Sequence, residues 1–212
     1  MKAPVINTLS NITSVHDFIL EHTLGSFTTY YNTALVCLQA SYFATQVLGG
    51  DSELFAIIPN QELLNTEVDL NNAIFAANII GPYSYISPSW AGAGTTHNYY
   101  YKSVTFNGEV ALLTANDANK VYTAFLTMKE SKIEPLPTTN NEVPQAITEP
   151  QVAFAIVKLN IHKATHNLNL GQELDAVQYS KIIRALKKQD DYASMLLAFE
   201  MEQNLKQKIK KV

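Results

Sequence analysis

Two histidines, His162 and His166, stand four residues apart in a segment whose apolar residues fit a helical repeat. On a helix this spacing places both imidazoles on one face, as in zinc sites that pair two histidine ligands. Lys163 occupies the position where that zinc motif needs a glutamate, and no third ligand is marked. We interpret both histidines as surface residues and predict no metal site. A metal site at this pair is the alternative.

Aromatic residues cluster between positions 83 and 101, around glycines and serines. Tyrosine and tryptophan rings combine a large contact area with few rotamers, and small polar neighbours supply adaptable hydrogen bonds, so this mixture is typical of binding surfaces. The alternative is a loop whose rings pack into the core. Nothing in the segment selects a ligand, and we predict no cofactor. The predicted partner-binding residues here are Tyr83, Tyr85, Trp90, Tyr99 and Tyr101.

A second candidate surface lies in the C-terminal segment, where a helix is predicted over 192–210. Its apolar side narrows to Met201, Leu205 and Ile209 at steps of four, between charged residues. Such a stripe fits the groove of a partner protein, and we include these three residues among the partner-binding candidates. The alternative is the edge of a helical bundle within the chain.

Recognised catalytic motifs are missing from the sequence. It contains no nucleophile elbow, phosphate-binding loop or dinucleotide fingerprint. Cys37 lies among Leu35, Val36 and Leu38 in a predicted buried helix, where a thiol is an inert apolar group. We predict no catalytic residues and no enzymatic activity. The alternative is an enzyme whose site forms only on folding, from Ser89, His97 and an acid such as Asp117, or from the histidine pair with a metal.

Hydrophobic spacing and capping residues predict the elements of the first 131 residues. Asn107-Gly108, between two apolar runs, indicates a β-hairpin with a tight two-residue turn. The predicted elements are a short helix from Ser14 to Gly25, a buried helix over 27–48, a strand over 54–58, a helix over 69–80, a loop over 81–97, the hairpin, and a helix over 117–128.

Four prolines among polar residues predict an extended linker over 132–150. Helices are predicted after it over 148–166, 174–188 and 192–210. The predicted domains are a mainly helical α+β domain over 1–131, the linker, and a helical C-terminal module over 151–212. The predicted fold class is α+β, mainly helical, with a small antiparallel β-hairpin and a three-helix C-terminal module.

Composition excludes several classes of protein. With 212 residues, 47% of them hydrophobic, the chain can bury a core without disulfides, and its single cysteine cannot form one internally. The net charge of −4 argues against nucleic acid as a partner. No apolar run is long enough to span a membrane, and the N-terminal residues lack the parts of a secretory signal. We expect a cytoplasmic protein, or a virion protein if it is phage-encoded.

By elimination, the sequence favours a non-enzymatic protein-protein interaction subunit. It would be an adaptor or structural component of a larger bacterial or phage assembly, such as a virion part or a chaperone-like adaptor of a secretion apparatus. The predicted partners are other protein subunits, with a homo-oligomer as a further possibility. The competing class is the enzyme with a scattered site described above.

Overall fold

A computed structural model describes residues 5–9, 12–31, 33–45, 53–61, 63, 68–92, 98–131 and 153–209. Strands make up most of its regular structure. They are β1 Val5–Leu9, β2 Leu24–Tyr31, β3 Ala34–Thr45, β4 Glu53–Pro59, β5 Ile74–Ile86, β6 Asn98–Leu112 and β7 Phe154–Asn169. The helices are α1 Ile12–Glu21, α2 Pro88–Ala91, α3 Ala115–Glu130, α4 Ala176–Leu186 and α5 Tyr192–Ile209.

The strands form one sheet in the order β1-β7-β4-β3-β2-β5-β6, and β7 also pairs with β6. This additional pairing closes six antiparallel strands into a ring. Backbone groups along both sides of each strand in the ring can therefore find partners, which removes the exposed edges of an open sheet. The predicted mainly helical α+β class is wrong, because the protein is mainly β with a few helices.

The segment 27–48 is predicted as a buried helix, but its described residues belong to the antiparallel hairpin β2–β3 instead. Tyr31 pairs with Ala34, and Thr33 takes a left-handed φ of 68° between the two strands. The apolar residues fit helical spacing by coincidence. Along β3, Leu38, Ala40 and Tyr42 are buried between more exposed neighbours, which is the period of a strand.

The predicted hairpin at Asn107-Gly108 is also wrong, because β6 runs through both residues without a turn. A β-carbon on Gly108 would meet the backbone carbonyl oxygen of Asn160 on the neighbouring strand β7. Glycine stands here because another backbone approaches closely, and a turn is not the reason.

Two further predicted helices, over 69–80 and 148–166, are wrong, because residues 74–80 belong to strand β5 and residues 154–166 to strand β7. The predicted loop over 81–97 begins with the second half of β5 and continues into α2. Buried and more exposed positions alternate along β5, as in Phe75, Ala76 and Ala77. Residues 93–97 lie outside the described part of the chain.

Other predicted elements are confirmed. The strand over 54–58 is β4, the short N-terminal helix is α1, and the helices over 117–128, 174–188 and 192–210 are α3, α4 and α5. Thr114 caps α3 by accepting a hydrogen bond from the Asp117 amide, and Asp175 caps α4. The predicted linker over 132–150 lies outside the described residues, so the domain boundaries drawn from it stay a prediction.

The chain divides into two compact units. Unit 1 comprises Met1–Ser10, Ile80–Thr105 and Thr165–Val212, and unit 2 comprises Asn11–Ile79 and Phe106–Ala164. The division passes through β5, β6 and β7, each of which contributes residues to both units.

Aromatic rings fill the core of unit 2. Phe27 stacks on Phe75 with ring centroids 5.4 Å apart, and Phe106 meets the rings of Tyr42 and Phe75 edge-on at 5.5 and 6.0 Å. The Tyr42 hydroxyl donates to the Ser26 carbonyl at 2.7 Å, which satisfies the polar end of a fully buried ring. A second cluster of unit 2 packs α3 against β4 and β7 through Ile57, Ala118, Tyr122 and Ile156.

Unit 1 packs α4 and α5 against one face of its strands. Ile86 of β5 and Tyr100 of β6 contribute from the strands, and Ile182, Leu197 and Met201 contribute from the helices. Tyr100 also packs against Gly171, which has a left-handed φ of 68°. A β-carbon on Gly171 would lie 2.5 Å from the Tyr100 hydroxyl oxygen, so this contact requires glycine.

Replacing Gly108 with alanine is expected to destabilise the protein, because the new methyl group collides with the Asn160 carbonyl. Overpacking of this kind costs about 1–3 kcal/mol, and each kcal/mol lowers the melting temperature of a chain of this size by roughly 2–4 °C. Asn107→Ala is the matched control, since Asn107 is exposed and would be important only in a hairpin turn. A melting temperature that falls for Asn107→Ala and not for Gly108→Ala would contradict the continuous strand.

Candidate functional site

The strands of unit 1 present two faces of different chemistry. Successive side chains of a strand point to opposite sides, so Tyr100 turns into the core while its neighbours Tyr99 and Tyr101 turn to the other face. The same alternation places Ile86 in the core and Tyr85 on the opposite face. Helices α4 and α5 pack on the first of these two faces.

Three tyrosines are exposed on the face away from the helices. Tyr83, Tyr85 and Tyr99 expose 54%, 45% and 56% of their surface. The rings of Tyr85 and Tyr99 meet edge to face across β5 and β6, with centroids 5.7 Å apart and planes inclined at 66°. These clustered rings leave apolar surface exposed to water. Such a patch is typical of a site that a ligand or another surface covers.

A row of neutral polar side chains lies beside these rings. Asn167 of β7 donates its amide N–H to the hydroxyl oxygens of Ser103 at 3.5 Å and Thr105 at 3.3 Å, both on β6. The Asn169 amide donates to the Tyr99 carbonyl at 2.7 Å. We call this surface the tyrosine-asparagine face. Its members are Tyr83, Tyr85, Tyr99, Tyr101, Ser103, Thr105, Asn167 and Asn169, of which Ser103 is buried.

The opposite, helix-covered face contains a charged cluster. Lys102 of β6 donates to both carboxylate oxygens of Glu200 on α5, at 3.1 and 3.2 Å, and both side chains are largely buried. The half-buried His166 of β7 belongs to the same cluster. Burial and the positive charge of Lys102 lower the pKa of His166 below 6.5, against a smaller opposing effect of Glu200. Both effects favour the neutral form of His166.

The structure brings together four of the predicted binding tyrosines, Tyr83, Tyr85, Tyr99 and Tyr101, on one face. Trp90 is separate from them, because it lies in α2 and packs, partly buried, against the core of unit 1. Their role in binding a partner protein stays a prediction.

The C-terminal stripe is mainly turned inward. Met201 is fully buried in the core of unit 1, and Leu205 packs against the same core. This arrangement matches the alternative of packing within the chain for these two residues. The side chain of Ile209 lies outside the described part, and a partner-binding role for the stripe stays a prediction.

The alternative catalytic groups have other local roles. Ser89 shares a hydrogen bond with Ser87 beside α2, and Asp117 accepts from Thr114 and pairs with Lys120 at the start of α3. Those bonds lower the pKa of Asp117, the Thr114 hydroxyl contributing most. His97 lies outside the described residues.

The predicted helical pairing of His162 and His166 is wrong, because both lie on strand β7. Four residues of strand span about 13 Å, too far for ligands of one ion. Among the described residues, no group of three or more histidine, cysteine or acidic side chains could hold a metal. The prediction of a buried Cys37 is also wrong, since this thiol is exposed on β3.

Sequence reasoning missed the asparagines of the face, because it assigned part of their segment to a helix. The signal was present in residues 163–169, where Thr165, Asn167 and Asn169 alternate with Ala164, His166 and Leu168. This period of two indicates a strand with a polar side.

Comparison with known families decides the class of protein. Residues 1–163 match the model of a family described as "Putative FMN-binding domain". The chain belongs to this family. Its six-stranded ring is the topology of a split barrel. The predicted adaptor or structural subunit of a virion or secretion apparatus is therefore wrong, because the family is one of flavin-binding domains.

Solved structures show the same fold at low sequence identity. The FAD and heme binding protein from Mycobacterium smegmatis is 14% identical, with a TM-score of 0.52 over 82% of this chain and 77% of its own. The flavocytochrome Anf3 from Azotobacter vinelandii is 13% identical, with a TM-score of 0.50 over 82% of this chain and 74% of its own. No curated protein matches the sequence significantly.

No helix in the described part of the chain combines the length and the apolar character needed to cross a bilayer.

The charged cluster predicts a pH dependence of stability. Because the folded protein lowers the pKa of His166, the neutral form is favoured on folding. The neutral His166 contributes its full stability above the unfolded pKa of about 6.5, where the ring is neutral in both states. This contribution is lost as the pH falls through the lower, folded pKa, because the unfolded state binds the proton more readily. His166→Gln should therefore reduce the fall in melting temperature between about pH 8 and pH 5.

The exposed His162 on the same strand provides the matched control. His162→Gln should keep the pH dependence of the native protein. An equally steep fall for His166→Gln and the native protein would show that the Lys102, Glu200 and His166 cluster does not produce the effect.

Proposed function

We propose that this protein binds a flavin, FMN or FAD, on the tyrosine-asparagine face and serves as a flavin-dependent redox protein. The observation that supports this proposal is that two exposed rings in contact, Tyr85 and Tyr99, lie beside the amide side chains of β7. The chain also belongs to an FMN-binding family. The names of the two solved structures, an FAD and heme binding protein and a flavocytochrome, agree with it.

The aromatic residues of the face fit the ring system of a flavin. An isoalloxazine is a large planar heterocycle. Such rings stack on aromatic side chains whatever polar groups the ring carries at its edge. Tyr85 and Tyr99 offer a ring face and a ring edge next to each other. Their exposure leaves this apolar area accessible to a ligand.

The polar row fits the edge of the same ring system. The pyrimidine part of a flavin alternates carbonyl oxygens with an N–H, and an amide side chain can both donate and accept hydrogen bonds. Asn167 and Asn169 supply such groups, and their bonds to Ser103, Thr105 and the Tyr99 carbonyl hold them in position. When bound, a flavin supplies two-electron redox chemistry that protein side chains do not offer.

On this proposal the residues of the face bind and orient the ring, while the packed helices behind β6 and β7 keep the strands rigid. A site on strands is positioned more accurately than one on loops. The sequence predicts no enzymatic activity and other protein subunits as partners, with a homo-oligomer as a further possibility. These three points stay predictions.

Tyr85→Ala is expected to weaken flavin binding, because stacking on one aromatic ring contributes about 1–3 kcal/mol, or about tenfold in Kd per 1.4 kcal/mol. The measurement is a titration of the flavin-free protein with FMN and with FAD, followed by quenching of flavin fluorescence. Tyr99→Ala should have a similar effect.

Tyr30→Ala is the matched control, since Tyr30 is a tyrosine of unit 2 that is 68% exposed and outside the face. It should leave Kd unchanged. If neither flavin binds the native protein saturably, the proposed function is wrong. If both bind but Tyr85→Ala and Tyr99→Ala match the control, the flavin binds elsewhere.

A further inference from the structure

We infer that helix α5 positions the tyrosines of the tyrosine-asparagine face from behind, through a hydrogen bond to β5 and an ion pair to β6. The contacting side chains are Ser84 and Lys102 on the strands and Ser194 and Glu200 on the helix. All four meet on the helix-covered side, so they act on a ligand of the face only through the tyrosines. The inference rests on the proposed function and adds the part of the fold that holds the binding residues in place.

The link to β5 is a hydrogen bond between two hydroxyls. Ser84 lies between Tyr83 and Tyr85, and its side chain turns to the helix side, where its oxygen is 2.9 Å from that of Ser194. Ser194 is only 2% exposed, so its hydroxyl depends on partners within the protein. Because a planar peptide group joins Ser84 to each neighbour, fixing Ser84 limits the positions of both tyrosines.

An acidic group at the start of α5 fixes the direction of this bond. Asp191 accepts a hydrogen bond from the Ser194 amide at 2.8 Å and another from the Ser194 hydroxyl, and these bonds lower the pKa of the carboxyl, the amide contributing most. A carboxylate only accepts, so the single Ser194 hydroxyl proton is directed to Asp191, and the Ser84 hydroxyl donates to Ser194. The Tyr85 carbonyl, at 3.4 Å, is a more distant acceptor for the Ser84 proton. The chain of hydrogen bonds therefore ends on a charge, which strengthens it.

The link to β6 is an ion pair. Lys102 donates to both carboxylate oxygens of Glu200, at 3.1 and 3.2 Å, and the two side chains are only 20% and 25% exposed. Salt screens a partly buried pair much less than an exposed one. Lys102 follows Tyr101 directly and Tyr99 by three residues, so the pair holds the strand close to both tyrosines.

A single helix thus reaches two neighbouring strands. β5 and β6 are adjacent in the sheet, and adjacent strands lie about 5 Å apart. Ser194 and Glu200 are six residues apart, which corresponds to about 9 Å along a helix. Through these two contacts α5 sets the position of β5 relative to β6, and with it the contact of Tyr85 with Tyr99. A binding site needs its groups within about 0.5 Å of the productive geometry, so a ligand that contacts both rings depends on this link.

The test removes the hydroxyls one at a time and titrates each variant with FMN or FAD, whichever binds the native protein more tightly. Ser84→Ala and Ser194→Ala should each raise Kd by about threefold to tenfold, the effect of one hydrogen bond, and the double variant should lose no more than either. Either serine variant suffices if the other does not fold. Ser84→Thr keeps the hydroxyl and should bind like the native protein.

Ser180→Ala is the matched control, because the Ser180 hydroxyl donates within α4, to the Ala176 carbonyl at 2.7 Å. It should leave Kd unchanged. Melting temperatures of all variants confirm folding.

A second substitution separates positioning from a general effect on the fold. If Ser84 acts through the ring of Tyr85, Ser84→Ala should weaken binding in the native protein and cause no further loss in the Tyr85→Ala background. Glu200→Gln keeps the shape of the side chain and removes its charge. By the same reasoning, it should weaken binding while Tyr99 is present and have no effect in the Tyr99→Ala background.

A loss of affinity in Ser84→Ala that disappears in the Tyr85→Ala background, with Ser84→Thr and Ser180→Ala like the native protein, would support the inference. Folded Ser84→Ala and Ser194→Ala variants that bind like Ser180→Ala would overturn it and leave the proposed function intact. An equal loss with and without the Tyr85 ring would also overturn it, because the serine would then act elsewhere. Native-like binding by Glu200→Gln would overturn the role of the ion pair. If neither FMN nor FAD binds the native protein, the proposed function itself is wrong, and the inference falls with it.

Discussion

Strands β6 and β7 must satisfy two different environments at once, because side chains of an extended chain alternate between its faces. In unit 1, Tyr100, Lys102 and His166 meet the helices, whereas Tyr99 and Asn167 turn to the opposite side. A shift of one residue in register would exchange these sets, placing the tyrosine-asparagine face in the core. The pairing of these two strands is therefore the constraint on which both the core and the candidate site depend.

Packing on the helix side holds this register in place. Tyr100 and Leu197 are almost entirely buried, and complete burial of one such side chain stabilises the fold by about 1.5–3 kcal/mol. The tight contact of Gly108 with Asn160 in unit 2 acts on the same strand pair, because only a glycine lets the two backbones approach so closely. Since a slipped register would bury Asn167 and expose Tyr100, it would lose these contributions together.

The two faces of the strands in unit 1 differ in chemistry, with a charged cluster on the helix-covered side and the tyrosine-asparagine face on the other. The ion pair of Lys102 and Glu200 is satisfied within the helix-covered side, and its partners are largely buried. On the other side, Tyr85 and Tyr99 offer ring contact and Asn167 offers neutral hydrogen bonds. A ligand with a large planar ring and a polar edge matches the groups on that side.

Local features of the sequence determined the helices α3, α4 and α5, with caps and apolar spacing that the structure confirms. They also marked Tyr83, Tyr85, Tyr99 and Tyr101 as candidates for binding. A helix forms its hydrogen bonds between residues four apart, so a short stretch of sequence contains most of the information. The exposed tyrosines could be found because clustered rings stand out in composition alone.

Only the tertiary structure decided which apolar segments are strands and which residues join the tyrosines. The predicted helices over 27–48, 69–80 and 148–166 fit helical spacing, yet residues 27–31, 34–45, 74–80 and 154–166 within them are strands, because each finds partners in other strands of the ring. Leu54 pairs with Leu159, for example, from a distant part of the chain. Asn167 reaches the face for the same reason: a strand takes its hydrogen bonds from another segment, and no local pattern states which segment that is.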